Sequence, residues 1–181
     1  MISARRQPPG PASPWARRWG DPLIRPARAD DVPVIYRLIR DLAEYEKSLD
    51  QVTATTEDLR LSLMADRPAV FAHVAEQDGE VVGVALWFLS FSTWESRHGI
   101  YLEDLYVRPD MRRYGHGRAL LAELARICVE RGYARLEWAV LDWNSPALAF
   151  YAALGAVPMD EWTAHRLTGP ALRALAGADD A

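Results

Sequence analysis

Segment 112–118 combines three arginines and two glycines, and this is the arrangement in the chain best suited to a chemical task, the binding of a phosphate group. Gly115 and Gly117 let the backbone approach a ligand closely with its N–H groups directed outward. The preceding segment, 99–107, is rich in β-branched and aromatic residues and predicts a strand. The following segment, 119–129, has the apolar spacing of an amphipathic helix. Its first-turn N–H groups and dipole would complete an anion site.

Two familiar glycine-rich loops do not fit this segment. A Walker loop ends in Gly-Lys-Ser/Thr, whereas Arg118 and Ala119 follow Gly117 here. A dinucleotide-binding fingerprint needs a third glycine and a later ribose-binding acid, and neither spacing is present. An ordinary tight turn before a helix would also favour glycine, so the loop alone leaves its ligand open.

A second segment whose residues could take part in chemistry follows about twenty residues later. Residues 135–142 predict another strand, and Asn144 or Ser145 can cap a helix that has Pro146 in its first turn. That helix carries Tyr151 and is expected to stop at Gly155.

Together the two segments resemble the acetyl-CoA motifs of the GNAT superfamily of N-acetyltransferases. The patterns are Arg-x-x-Gly-x-Gly after a strand and Asn-x-x-Ala-x-x-Phe-Tyr-x-x-x-Gly-Ala further on. Over about residues 23–177 the chain is similar to the diamine acetyltransferases and, more closely, to the thialysine N-epsilon-acetyltransferases. The segments that carry this similarity are 42–47, 92–94, 101–104 and 139–144. The resemblance implies an α+β GNAT fold, a single mixed, mostly antiparallel sheet flanked by helices.

The resemblance also implies acetyl-CoA as co-substrate, with no metal. The coenzyme-binding positions that it implies are Leu105, Tyr106, Val107, Arg112, Arg113, Tyr114, Gly115, His116, Gly117, Arg118, Asn144, Ser145 and Ala147. It implies Glu103 as the proton acceptor and Tyr151 as the proton donor near the coenzyme sulfur. The N–H of Val107 is our candidate donor to the developing oxyanion, and His116 is expected to act through its backbone.

Acetyl transfer to an amine makes demands that these residue types can meet. A free alkyl ammonium has a pKa around 10, so a carboxylate must take its proton before it can attack. Glu103 and Asp104 are adjacent in a predicted strand, so we expect them to face opposite sides with only Glu103 in the cleft. The simpler alternatives are that both carboxylates are solvated and that Tyr151 is a core residue.

For the acceptor amine, the resemblance implies contacts from Tyr45, Glu46, Trp94 and Glu103. Two acidic residues among them would give a negative cleft suited to a cation. Polyamine acetyltransferases carry an acidic residue where Ser92 stands here, whereas the thialysine branch shares the Ser-Thr-Trp sequence. This departure favours a lysine-like or small amine. A second departure is Arg113, where the loop usually has a small residue.

Composition limits the other possibilities. The 181 residues carry a net charge of −4, which argues against general nucleic-acid binding, and the arginines of 108–118 oppose that sign locally. The single cysteine excludes a disulfide framework, and no apolar run reaches membrane-spanning length. The start of the chain, 1–21, is rich in proline and arginine and predicts a disordered tail before a domain at 22–181. We expect a cytoplasmic protein without a membrane partner, and the resemblance implies a homodimer.

The remaining elements follow from periodicity and turn signals. Strands are expected at 23–25, 70–76, 81–89 and 162–167, and helices at 30–45 and 55–64. The hypothesis for function is therefore an N-acetyltransferase that acts on a thialysine- or lysine-like amino acid or a di- or polyamine. The alternatives are a protein or peptide N-acetyltransferase and a non-catalytic acyl-CoA-binding sensor.

Overall fold

The computed structural model describes residues 22–178, so the tail expected over 1–21 lies outside the described residues. The chain divides after residue 139 into two compact units. The first contains strands β1 (Leu23–Pro26), β2 (Val70–Gln77), β3 (Glu80–Ser92), β4 (Arg97–Val107) and β5 (Leu136–Trp138), with helices α1 (Val32–Tyr45), α2 (Thr56–Leu63) and α3 (His116–Arg131). The second contains helices α4 (Ser145–Ala152) and α5 (Gly169–Leu175).

The strands form one sheet in the order β1-β2-β3-β4-β5. Neighbours from β1 to β4 are antiparallel, and β5 is parallel to β4, so the expected mixed, mostly antiparallel sheet is confirmed. The β2–β3 turn is Asp78-Gly79, with φ angles of 53° and 84°. Both are in the left-handed region, as a two-residue Asp-Gly hairpin requires.

Helices cover both faces of the sheet. Ile35 and Leu38 of α1 are buried against Val74 of β2 and Leu86 of β3. The ring of His73, next to Val74 along β2, lies 3.9 Å from Glu123 of α3. Because adjacent strand residues point to opposite faces, α1 and α3 pack on opposite sides. Helix α3 therefore starts from a fixed position at the end of β4.

Two strand predictions differ from the structure. The strand expected over 135–142 is limited to β5, which pairs only with Ile100–Leu102 of β4, just before β4 changes its register. The strand expected over 162–167 is wrong, because the second unit forms α4 and α5 and no strand within its described residues.

Candidate active site

The glycine loop makes the connection from β4 to α3, as the sequence predicts. A short 3₁₀ turn, Pro109–Met111, precedes it, and Gly115 occupies the N-cap of α3 with a φ of 92°. No side chain caps this helix, and the first bond runs from the N–H of Ala119 to the Gly115 carbonyl at 2.9 Å. The N–H groups of the first turn have no acceptor within the helix. They form the donor set that an anionic ligand needs.

Arg113 takes the left-handed conformation in this loop, with a φ of 68°. A side chain in this region costs free energy that glycine would not. The position is the one where the resemblance leads us to expect a small residue. Arg113 therefore adds strain to the loop backbone. Its exposed side chain also places a positive charge beside the N-terminus of α3.

The arginines of 108–118 do not all serve one ligand. Arg108 is held by Asp110 at 2.7 Å and by Glu80 at 3.3 Å. The guanidinium of Arg112 lies against the rings of Tyr45 and Tyr106. Arg112, Arg113 and Arg118 are all exposed, but only Arg112 among them has its guanidinium against aromatic rings in the contacts described, so the other two guanidinium groups point elsewhere along the loop surface. These two are the better candidates for contact with a phosphate.

His116, the first residue of α3, is buried with 2% of its surface exposed. Neither ring nitrogen has a hydrogen-bond partner among the described residues. Burial lowers the pKa of the imidazole, so the ring stays neutral at physiological pH. The ring of His116 is therefore part of the packed interior at the start of α3, and a role for its backbone N–H in ligand binding stays a prediction.

Strand β4 changes its register in the middle of the site. Trp87 pairs with Leu102, whereas Leu86 pairs with Asp104, so Glu103 is an extra residue in a β-bulge. Leu86 and Trp87 point to opposite faces, so Leu102 and Asp104 must also do so, although residues two apart normally share a face. The bulge therefore interrupts the alternation between Leu102 and Asp104, and the opposite orientation of Glu103 and Asp104 stays a prediction.

As a result, Asp104 lies on the α1 face of the sheet with Leu86. Burial raises the pKa of Asp104 to about 6, and the charges of Glu103 and Glu46 add to that rise. Burial also raises the pKa of Glu46, the residue at which α1 ends. Glu46, Glu103 and Asp104 form one acidic group, in which Asp104 is partly buried and Glu103 is exposed. The sequence offered no signal for the bulge, so the participation of Asp104 was missed.

The last part of β4 is open on one side. Its pairing with β5 covers Ile100–Leu102, and no strand within 22–178 pairs with that edge over 103–107. Alternate N–H and C=O groups of this stretch point away from β3, and of these the Val107 carbonyl accepts a bond from Arg112 Nε at 3.0 Å. Leu105, Tyr106 and Val107, the residues expected to pair with the pantetheine arm, lie in this stretch. The edge leads directly into the glycine loop.

The predicted acceptor-binding residues are only partly brought together. Tyr45 and Glu46 lie at the end of α1, close to the bulge. Trp94 is in the β3–β4 turn with 89% of its surface exposed, and six residues of β4 separate the start of that strand from Glu103. At about 3.3 Å per residue, this is a separation of roughly 20 Å. Ser92 is also at that end, buried, with its hydroxyl accepting a bond from the Glu95 N–H at 3.3 Å.

The second unit carries the other motif. The side-chain oxygen of Asn144 accepts a hydrogen bond from the Ala147 N–H at 3.3 Å, so of the two possible caps Asn144 is the one that caps α4. Ser145 is the first residue of α4, and Tyr151 is its next-to-last residue, with its ring centroid 5.3 Å from that of Phe150. The motif therefore forms a capped helix that presents Tyr151.

Comparison with known proteins agrees with this architecture. The sequence profile of the acetyltransferase (GNAT) family matches residues 34–156. The thialysine N-epsilon-acetyltransferase of Bos taurus is 43% identical over 86% of this chain and 97% of its own length. An L-ornithine N-acetyltransferase of Arabidopsis thaliana is 30% identical over 84% of this chain and 86% of its own. An integron cassette protein of V. cholerae superposes with a TM-score of 0.71 and 25% identity, over 86% of this chain and 97% of that one.

A strand that leads through a glycine loop to a helix N-terminus without a side-chain cap is suited to bind the phosphate of a coenzyme. The chain belongs to the acetyltransferase (GNAT) family. It is an N-acetyltransferase, and acetyl-CoA is the co-substrate that this family uses. Among the helices within 22–178, none is long and apolar enough to cross a membrane.

Proposed function

We propose that this enzyme transfers the acetyl group of acetyl-CoA to the side-chain amine of a small diamino acid, of the thialysine, lysine or ornithine type. The observation that carries the proposal is the acidic group Glu46, Glu103 and Asp104 beside the open edge of β4. Three carboxylates within one unit give a cleft that favours a cationic acceptor. Relatives named for thialysine and for ornithine act on amino acids with a terminal amine, which supports the same class.

The chain offers a group for each step that the transfer requires. A carboxylate of the acidic group accepts the proton of the ammonium, and we assign this role to Glu103. The Val107 N–H is assigned to the developing negative charge on the acetyl oxygen. First-turn N–H groups of α3, with Arg113 and Arg118, are assigned to the pyrophosphate. Asn144, Ser145 and Ala147 are assigned to the coenzyme and Tyr151 to the departing thiolate, on the strength of the second motif.

The test is a thiol-release assay with acetyl-CoA across thialysine, lysine, ornithine, spermidine, putrescine and a lysine-containing peptide. We expect a higher kcat/KM on a diamino acid than on spermidine, because Ser92 supplies no charge for a distant second ammonium. Highest efficiency on the peptide would replace the proposal with a protein N-acetyltransferase. Calorimetric binding of coenzyme without turnover on any amine would instead indicate a non-catalytic sensor.

A loop variant provides the control for coenzyme use. Gly117→Glu places a side chain and a negative charge at the start of α3, where the pyrophosphate is assigned. We expect acetyl-CoA binding and turnover to be lost together.

The proposal also includes a cytoplasmic homodimer, and sedimentation equilibrium tests whether the enzyme is a dimer.

A further inference from the structure

The side chain of Arg112 is directed back toward α1 and the sheet. Its guanidinium carbon lies 5.2 Å from the ring centroid of Tyr45 and 5.4 Å from that of Tyr106. Its Nε donates a hydrogen bond to the carbonyl oxygen of Val107 at 3.0 Å. Arginine guanidinium groups are attracted to aromatic rings at distances up to about 6 Å. The residue that begins the glycine motif thus joins three other parts of the site.

The two rings differ in how firmly they are held. Tyr106 is 5% exposed and belongs to the core between the sheet and α1. Tyr45 is 36% exposed and is the last residue of α1. Arg112 therefore connects a fixed ring to a more exposed ring at a helix end. The consequence is that the end of α1 is anchored to the loop.

The end of α1 is also where the acceptor is expected to bind. Glu46 follows Tyr45 directly, and its N–H bonds to the Leu42 carbonyl at 2.9 Å, so both residues belong to the last turn of α1. Arg112 in turn precedes Arg113, whose left-handed backbone shapes the loop. The contact between Arg112 and Tyr45 therefore links the glycine loop to the last turn of α1, next to Glu46.

We propose that Arg112 is a positioning residue that couples the coenzyme loop to the acceptor pocket through Tyr45. The inference rests on the proposed function, because it takes the region of Tyr45 and Glu46 as the place of the acceptor amine. It reassigns Arg112, which the motif alone would make a ligand of the coenzyme. Arg113 and Arg118 remain as the cations for the phosphate.

The test compares Arg112→Lys with Tyr45→Leu and with the double variant. Lysine keeps the positive charge but lacks the planar group and the Nε–H that bridge the rings and the Val107 carbonyl. We expect the KM for the best amine of the panel to rise about tenfold, with the Kd for coenzyme A, measured by calorimetry without acceptor, changed less than about threefold. The double variant should be no worse than the worse single variant, because both changes break one contact.

Arg113→Lys is the matched control, since it makes the same exchange at the neighbouring loop position. We expect it to weaken coenzyme A binding while the KM for the amine stays unchanged. A tenfold rise in the coenzyme Kd for Arg112→Lys, with the amine KM unaltered, would overturn the inference in favour of a direct phosphate ligand. Effects of Arg112→Lys and Tyr45→Leu that multiply in the double variant would overturn it as well.

A stability cycle separates this inference from the proposed function. Urea unfolding of the same four proteins without any ligand measures the coupling between Arg112 and Tyr45 directly. If the wild type acetylates no amine, the proposed function fails, and a non-zero coupling still supports the contact that the inference requires. Additive changes in unfolding free energy would refute the contact whatever the enzyme acetylates.

Discussion

Replacement of Asp104 by asparagine should make the protein more stable at neutral pH and less able to hold its acceptor. Asp104 is partly buried, and its pKa is raised from 3.8 to about 6 by burial and by the charges of Glu103 and Glu46. The folded protein therefore binds a proton at this site more tightly than the unfolded chain does. The protonated carboxyl of Asp104 contributes fully to the free energy of unfolding below about pH 4, and this contribution is lost as the pH rises through about 6.

The size of the effect follows from the shift in pKa. A rise of about two pH units corresponds to about 3 kcal/mol of unfolding free energy once Asp104 is fully ionised. Asparagine has nearly the same shape and no charge, so Asp104→Asn should recover up to about 3 kcal/mol at pH 7.5. At pH 4.5 the unfolded aspartate is still mostly ionised, and the gain should shrink to about 1 kcal/mol.

The assay is urea unfolding of both proteins at several pH values between 4.5 and 8. Asp66→Asn is the matched control, because Asp66 is exposed in the turn after α2 and its loss should change stability by less than about 0.5 kcal/mol. In Asp104→Asn the KM for the amine should also rise severalfold at pH 7.5, since this substitution removes one negative charge from the pocket. A gain in stability that does not depend on pH, or a loss at pH 7.5, would refute the reasoning about Asp104.

Three further substitutions test individual features of the site. Arg113→Gly relieves the left-handed strain at φ 68°, so the melting temperature should rise by about 2–4 °C, while calorimetry should show weaker binding of coenzyme A. His116→Leu replaces a buried ring without hydrogen-bond partners by an apolar side chain and should stabilise the fold by about 1–3 kcal/mol in urea unfolding; a loss would show that the imidazole is solvated or paired. Tyr151→Phe should lower turnover at least tenfold with little change in coenzyme affinity or melting temperature; intact turnover with lower stability would make Tyr151 a packing residue.

Local signals in the sequence predicted most of the first unit. The Asp78-Gly79 turn, the capping pair Thr55 and Asp58, and the apolar spacing of α3 each depend on residues close together in the chain. The glycine motif is local in the same sense, and Gly115 has the left-handed backbone that its type suggests. These features could be predicted because their causes lie within one turn or one hairpin.

The failures have causes that are not local. Strand alternation alone would place Leu102 and Asp104 on one face, but the register of β4 is set by its pairing with β3, which puts them on opposite faces. The segment 162–167 has strand-forming residues, yet a strand needs a partner, and the second unit provides none within its described residues. A sequence read alone shows which residues favour a strand but not which edge will receive it.

The bulge at Glu103 connects these observations to the chemistry. An unbroken β4 would place Asp104 on the α3 face with Trp87, away from the end of α1. The extra residue turns Asp104 to the face of Glu46, and the pairing of β4 with β5 ends directly before it. The bulge therefore keeps Asp104 in the acidic group although Glu103 is present, and it borders the edge of β4 that leads to the glycine loop. Deleting Glu103 removes the assigned base but leaves Leu102 and Asp104 as neighbours opposite Trp87 and Leu86, so Asp104 should stay on the α1 face. Transfer should then be lost to the same degree as in Glu103→Gln, and a deletion variant that loses the pH-dependent gain of Asp104→Asn in urea unfolding would refute this reading of the register.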